Sequence, residues 1–279
     1  MSSRTNDKTD LVLYPGCCVD AVEAGRLVSA AAMALCGAIG LEIREAQEWH
    51  CCGASEWPSR WPVGSAALAV HNLALAGKRD VDAVCLCPAC AQVFQKGVRL
   101  VQQQPGLEDR MAGALKGLGL EMPRRMRARH MLDVLGESAA WDSIRGLVRK
   151  PLRGMRVCCY YGCKLDGADG VMERLLECAG ATVVEVRAAR RCCGALEAGD
   201  SVEAAQAIMR EANDRGAEVV STGCVWCVEF LRRAAGPVPV FFFAQMLAGA
   251  LGLPTAQAGL RISREGRRTV IRARRRRPG

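Results

Sequence analysis

The sequence predicts an α/β protein built of two pseudo-symmetric parallel α/β domains that are related by an internal repeat. Short apolar runs of strand type alternate with helix-like stretches along the chain, an order typical of parallel sheets. The same order then occurs a second time. In both copies a Cys-Cys-Gly sequence follows the second strand, at 51–53 and again at 192–194.

The two copies can be followed element by element. The first is predicted to run through strand 11–16, helix 21–38, strand 41–46, helix 65–77 and strand 81–86. The second is predicted to run through strand 155–162, helix 167–179, strand 181–186, helix 202–215 and strand 218–223. The stretch 129–137 resembles 241–252, which follows the second copy. We therefore predict an N-terminal domain at 1–150, a C-terminal domain at 151–260 and a basic tail at 261–279.

Five cysteines recur at equivalent places in each copy. A lead cysteine follows the first strand, a Cys-Cys pair follows the second, and Cys-x-x-Cys follows the third. The carboxyl ends of parallel strands meet at one edge of a sheet, where ligands bind, so each set of five thiols should gather in space. The first cysteine set is Cys17, Cys51, Cys52, Cys87 and Cys90, and the second cysteine set is Cys163, Cys192, Cys193, Cys224 and Cys227.

The number and arrangement of these thiols indicate a metal centre. The chain has 16 cysteines and shows no signal peptide, which favours reduced thiols in the cytoplasm. Zinc takes four ligands, whereas each set offers five, and adjacent cysteines on an extended chain point in opposite directions. Five thiolates suit a multinuclear iron–sulfur cluster, and Gly53 and Gly194 would allow close approach to it. A zinc scaffold is the alternative.

Positive charge is concentrated at the C-terminus. The net charge is +9, but residues 261–279 hold nine arginines and one acid, so the rest of the chain is nearly neutral. This distribution argues against a nucleic-acid groove and predicts a solvated, partly disordered tail. Docking of the tail on an acidic partner, or weak RNA contact, is the alternative. The apolar stretch 236–254 contains three prolines and predicts a buried strand and helix, not a transmembrane segment.

The cysteine motifs resemble those of a known family. The sequences YPGC, CCG and CPAC, then YYGC, CCG and CVWC, and finally VPVFFFAQMLAGALGL, resemble the B-type subunit of heterodisulfide reductase and its bacterial relatives, the double CCG-domain proteins. The resemblance covers about 11–254. It implies two non-cubane [4Fe-4S] clusters, one on each cysteine set, facing each other across an inter-domain cleft where a disulfide is cleaved.

This resemblance also implies an activity and partners. The chain would be an oxidoreductase acting on sulfur groups, the catalytic subunit that cleaves or forms a disulfide, or oxidises a thiol or persulfide. It has no flavin or nicotinamide fingerprint, so a ferredoxin-like subunit of the C type and a flavoprotein subunit of the A type would carry the electrons. The alternative is an electron-transfer iron–sulfur subunit of a flavin-dependent dehydrogenase complex.

Other residues near the motifs have two interpretations each. His50 precedes Cys51 and is a candidate general acid, or a structural histidine. Lys164 follows the second lead cysteine and would favour an anionic substrate, or is simply exposed. Cys18 adjoins Cys17 and could replace it or contact substrate. The remaining cysteines are expected to be buried small hydrophobic residues: Cys36, Cys85, Cys158, Cys159 and Cys178.

Overall fold

The fold is an α/β arrangement with ten strands and thirteen α-helices in the described part of the chain. The computed structural model describes residues 10–54, 57–77, 80–195, 202–234, 236–265 and 268–273. The strands are β1 (Asp10–Tyr14), β2 (Ile43–Glu45), β3 (Asp80–Cys85), β4 (Arg125–His130), β5 (Arg156–Tyr160), β6 (Thr182–Val183), β7 (Val219–Thr222), β8 (Val240–Phe242), β9 (Leu260–Glu265) and β10 (Arg268–Ala273). The α-helices are α1 (Cys18–Ala21), α2 (Gly25–Ala38), α3 (Trp57–Arg60), α4 (Pro62–Ala76), α5 (Pro88–Gln103), α6 (Leu107–Gly117), α7 (Met131–Leu135), α8 (Ser138–Leu147), α9 (Val171–Cys178), α10 (Val202–Asp214), α11 (Val225–Arg233), α12 (Phe243–Ala250) and α13 (Thr255–Ala258).

Two four-stranded sheets repeat the same topology. Their strand orders are β2-β1-β3-β4 and β6-β5-β7-β8. In the first sheet β1 pairs in parallel with β2 and β3, and in the second β5 pairs in parallel with β6 and β7. The first strand of each copy therefore lies at the centre of its sheet, flanked by the second and third. This topology confirms the predicted pair of pseudo-symmetric parallel α/β repeats.

The strand after each Cys-x-x-Cys helix leads into a helix in the same way. At the β4–α7 junction the backbone N–H of His130 donates to Asp133 Oδ2 at 3.0 Å. At the β8–α12 junction the backbone N–H of Phe242 donates to Gln245 Oε1 at 3.1 Å. In both cases a side chain three residues into the helix satisfies the backbone at its start, as in a capping box. The resemblance between 129–137 and 241–252 thus has a structural counterpart.

Backbone contacts divide the chain into two compact units. The first unit contains β1 up to Gly16, Glu42–Cys85 and Cys90–Arg129. The second unit contains Cys17–Leu41, Leu86–Ala89 and the chain from His130 onward. Helix α2 accordingly belongs to the second unit, where it packs against α12 and α13. The domain boundary at residue 150 stays a prediction.

The helix predicted at 21–38 begins four residues later in the structure, and a separate short helix precedes it. Helix α1 ends at Ala21, the chain turns, and α2 begins at Gly25. A Cβ atom at Gly25 would collide with the carbonyl oxygen of Cys18, so glycine permits this close contact between the two helices.

The structure corrects the expectation of a disordered C-terminal tail. Strands β9 and β10 form an antiparallel hairpin, with Leu260 opposite Ala273 and Ile262 opposite Ile271. The side chains of Leu260 and Ile262 are buried, and β9 packs against α12. The arginines conceal an alternating apolar pattern that lets one face of the hairpin bury. The other residues of the predicted tail, 266–267 and 274–279, lie outside the described residues.

The lengths and compositions of the helices bear on whether the chain could span a membrane. Among the described residues, no helix combines the length and the apolar character that crossing a bilayer requires.

Candidate functional site

All five cysteines of the second set line one cavity that is partly open to solvent. Cys163 follows β5, and Cys192 and Cys193 follow a 3-10 turn at Arg187–Arg190. Cys224 is the N-cap residue of α11, and Cys227 lies in that helix's first turn. Three strand ends therefore bring together thiols spread over more than 60 residues of sequence.

Hydrogen bonds between sulfur atoms give these thiols different pKa values. Cys193 Sγ lies 3.5 Å from Cys227 Sγ. This hydrogen bond is the main cause that lowers the pKa of Cys193 to about 7, against the opposing effect of burial. Hydrogen bonds with Cys193 and Cys224, together with burial, raise the pKa of Cys227 well above its usual range. Burial raises the pKa of Cys192 to about 12. Of these three thiols, Cys193 therefore ionises most readily, and the thiolate is the form that binds metal.

The first cysteine set shows the same pairing inside the first unit. Cys52 Sγ lies 3.0 Å from Cys90 Sγ, and both side chains are buried. Cys51 is exposed. The other two members lie in the second unit: Cys17 directly precedes α1, and Cys87 lies in the Leu86–Ala89 segment.

Within the second unit, parts of both cysteine sets are in contact. A hydrogen bond with Cys227 lowers the pKa of Cys224, but a second one, with Cys87, raises it, and with burial the result is a pKa well above the ordinary value. The neighbours of Cys87 in the sequence, Pro88 and Ala89, line the cavity of the second set. Helix α1, which follows Cys17, packs against α11.

A buried histidine joins the two turns that carry Cys87 and Cys224. His130 Nε2 is hydrogen-bonded to the carbonyl oxygen of Gly223 at 2.8 Å, and the backbone of Leu86 is also within hydrogen-bonding reach of the ring. Burial lowers the pKa of His130. These contacts fix the two turns and give His130 a structural role.

The rest of the cavity wall is aromatic, apolar and cationic. Tyr161, Trp226 and Ala195 line it, as does Lys164, whose side chain is also exposed. Both interpretations of Lys164 are therefore compatible with its position.

The candidate general acid His50 is engaged by its neighbours. Its backbone N–H donates to Asn72 Oδ1 at 2.7 Å, and its ring stacks on His71 with 5.0 Å between ring centroids. Burial, and then the neighbouring His50, lower the pKa of His71. The role of His50 in proton transfer stays a prediction.

Two tyrosines at the sites were not predicted as functional residues. The hydroxyl of Tyr14 donates to the carbonyl oxygen of His50 at 2.5 Å, and that of Tyr160 donates to the carbonyl oxygen of Arg191 at 2.6 Å. Burial, and next the nearby Cys90, raises the pKa of Tyr14, while burial and then Cys227 do the same for Tyr160. The signal was present in the sequence, because both motifs begin Tyr-x-Gly-Cys.

The second cysteine set fits a multinuclear cluster. In the described segments, no three His, Cys, Asp or Glu side chains converge on one point as ligands of a single metal ion would. A four-iron cluster does not require such convergence, because its thiolates are distributed over several iron atoms. The second set supplies five thiols around one cavity, and Gly162 and Gly194 adopt positive φ angles of 68° and 91° beside them. These glycines let the backbone approach a bulky core closely.

The fold and the paired five-cysteine sets define a double cysteine-rich-domain protein. The family model described as CCG, cysteine-rich domain, matches residues 11–95 and 157–232, which together make up more than half of the chain. The chain belongs to this family, and its relatives there include proteins named as the B-type subunit of heterodisulfide reductase.

Three curated relatives are similar to this chain in sequence over most of its length. The 8-methylmenaquinol:fumarate reductase membrane anchor subunit of Wolinella succinogenes is 24% identical over 278 residues, which span 90% of this chain and 95% of that protein. The B-type subunit of the ferredoxin/F(420)H(2)-dependent CoB-CoM heterodisulfide reductase of Methanosarcina acetivorans is 22% identical over 70% of this chain and 73% of that protein. A protein of Archaeoglobus profundus, named as similar to the B-type subunit of heterodisulfide reductase, is 22% identical over 81% of this chain and 86% of that protein.

One solved structure shares the fold. The crystal structure of a hypothetical protein from Helicobacter pylori superimposes with a TM-score of 0.72 at 12% identity and covers 91% of this chain. The chain spans about half of that protein, 51% of its length, so the likeness concerns the fold alone.

Proposed function

We propose that the chain is the sulfur-handling catalytic subunit of a heterodisulfide reductase-like complex. The ten motif cysteines would hold two non-cubane [4Fe-4S] clusters. A disulfide is reduced when its S–S bond takes up two electrons and two protons and becomes two thiols. When bound, the clusters supply one-electron transfer, and the reverse reaction would oxidise thiols or persulfides.

The observation that carries this proposal is the contact between members of the two cysteine sets. Cys87 of the first set is hydrogen-bonded to Cys224 of the second. Pro88 and Ala89 line the cavity that contains all five cysteines of the second set. Two redox centres bound this close together could serve the two sulfur atoms of one disulfide. The Lys164 cation on the same wall suits a substrate that carries negative charge.

The partners are also part of the proposal. The relatives in Methanosarcina and Wolinella are named as subunits, so they belong to larger assemblies. For this chain we propose a ferredoxin-like subunit and a flavoprotein subunit as electron carriers.

The test removes one cluster at a time. We expect Cys52→Ala and Cys193→Ala, measured separately in the assembled complex with a disulfide substrate, each to reduce turnover to background. Cys36→Ala is the matched control, because Cys36 is fully buried outside both sets. If either motif variant keeps substantial disulfide turnover while lacking its iron, the two-cluster proposal is wrong.

A second candidate function is electron transfer without a sulfur substrate. It is favoured by the relative named 8-methylmenaquinol:fumarate reductase membrane anchor subunit, which aligns with 90% of this chain. In that case the assembled complex should oxidise a menaquinol analogue and show no disulfide turnover. The loss of a peripheral cluster would then leave part of the electron transfer intact.

A further inference from the structure

Tyr14 and Tyr160 occupy equivalent positions at the ends of β1 and β5. Each lies three residues before the lead cysteine of its copy, and each ring is almost completely buried. Each hydroxyl reaches a carbonyl group far along the chain, 36 residues away for Tyr14 and 31 residues away for Tyr160. In both copies the acceptor is the residue directly before the Cys-Cys pair. The same bond therefore forms although the two connecting segments differ in length.

Each tyrosine ring also contacts the turn that carries the lead cysteine. Gly16 and Gly162 precede Cys17 and Cys163 with φ angles of 69° and 68°. A Cβ atom on Gly16 would lie 3.1 Å from Tyr14 Cε1, and one on Gly162 would lie 3.3 Å from Tyr160 Cε1. The backbone beside each lead cysteine thus lies directly against the ring.

The last cysteine of the Cys-x-x-Cys segment lies against the same glycine turn. The position of a Cβ on Gly16 is 3.6 Å from Cys90 Sγ, and that of a Cβ on Gly162 is 3.5 Å from Cys227 Sγ. The Tyr160 hydroxyl is additionally within hydrogen-bonding reach of Cys193. In each copy the tyrosine ring and the last Cys-x-x-Cys thiol therefore both lie next to the glycine that precedes the lead cysteine.

We propose that Tyr14 and Tyr160 are positioning residues, each of which anchors the Cys-Cys segment of its own copy so that the thiols keep the spacing a cluster needs. The inference rests on the proposed function, since it assumes that the cysteine sets hold iron–sulfur clusters. The hydroxyl fixes the backbone immediately before the pair, while the ring supports the lead-cysteine turn. Phenylalanine would keep the ring and remove only the anchor.

The experiment compares Tyr14→Phe and Tyr160→Phe in iron-loaded protein. In each variant, about half of the iron, that of the affected cluster, should be released to a chelator faster than in the unchanged protein. The rate of this release should rise by roughly three- to tenfold, the factor that the loss of one hydrogen bond implies. The midpoint potential of the affected cluster should also change.

Single-cluster proteins supply the matched control. In the Cys52→Ala background only the second set would hold a cluster, so Tyr160→Phe should accelerate iron loss there and Tyr14→Phe should not. The Cys193→Ala background should give the opposite result. A tyrosine that only fills the core would lower the unfolding temperature without changing the potential of its own cluster selectively.

The outcomes separate this inference from the proposed function. If both phenylalanine variants release iron at the unchanged rate and keep both midpoint potentials, the positioning role is wrong. If the unchanged protein binds zinc without sulfide, the proposed function itself is wrong. If the iron-loaded protein shows no disulfide turnover but the variants behave as expected, the positioning role stands and only the sulfur chemistry fails.

Discussion

The sulfur atoms of Cys52 and Cys90 lie 3.0 Å apart although 38 residues separate them in the sequence. Their equivalents in the second copy, Cys193 and Cys227, lie 3.5 Å apart. Each copy therefore brings one cysteine of its pair against the last cysteine of its Cys-x-x-Cys segment. Such preformed thiol pairs are ready to bind metal, but they are also within reach of oxidation.

We first predict that iron-free protein treated with the thiol oxidant diamide forms a Cys52–Cys90 disulfide. Two thiols at this separation need little movement to be joined, and diamide accepts the two electrons and two protons. Peptide mass spectrometry without reduction should detect the linked peptides, and iron-loaded protein should be protected. Linkage of Cys36 at the same rate would instead indicate nonspecific oxidation.

The second prediction concerns metal content. Anaerobically purified protein should contain about eight iron and about eight sulfide per chain, as two four-iron clusters require. Cys192→Ala should reduce both values by roughly half or convert one cluster, because the second set loses a ligand. Cys36→Ala should retain the iron and cost roughly 1 kcal/mol or less of unfolding free energy. Two zinc ions and no sulfide would exclude the cluster assignment.

The third prediction separates backbone strain from close approach at Gly162. Gly162→Ala and Gly167→Ala should each cost about 1–2 kcal/mol of unfolding free energy, because both positions have positive φ. Only the Gly162 Cβ would press on Tyr160, since nothing lies within 4 Å of a Cβ at Gly167. Iron content of the purified variants should therefore fall for Gly162→Ala and not for Gly167→Ala. An equal loss from both would show that strain alone matters.

The fourth prediction tests the C-terminal hairpin. Ile262→Ala should lower the unfolding free energy by about 2 kcal/mol, because the Ile262 side chain is buried beside Gly249 of α12. Arg261→Ala, at the exposed neighbouring position, should change it by no more than about 0.5 kcal/mol. Chemical denaturation measures both. A disordered segment would give no difference between the two variants.

The sequence allowed the repeated topology and the convergence of the second cysteine set to be predicted, because both follow from strand order. Cysteines that follow the carboxyl ends of β5, β6 and β7 must meet at one edge of a parallel sheet. The buried positions of Cys36, Cys85, Cys158 and Cys159 were also predicted correctly. Cys178 was not, since its side chain is only partly buried and lies 3.7 Å from Arg145.

The features that could not be predicted depend on contacts between distant segments. The apolar face of β9 was concealed by its arginines, and its burial depends on packing against α12, which the pattern of β9 itself does not show. The sequence shows that a tyrosine recurs in both motifs, but it does not show what its hydroxyl binds. The acceptor is a backbone carbonyl group, and any residue can supply one. The placement of Cys17–Leu41 in the second unit likewise depends on packing with α12.

The packing of α2 against α12 has a consequence for how the protein is made. The residues of α2 leave the ribosome about 200 residues before those of α12, so the packing of α2 against α12 cannot form until late in translation. Domains usually fold as units in the order of synthesis. Here the packing of α2 can be completed only after α12 has been synthesised. The lead cysteine just ahead of these helices, Cys17, is held in place only after the chain is nearly complete. Iron should therefore be inserted into the released polypeptide, and nascent chains truncated before Phe243 should not retain it.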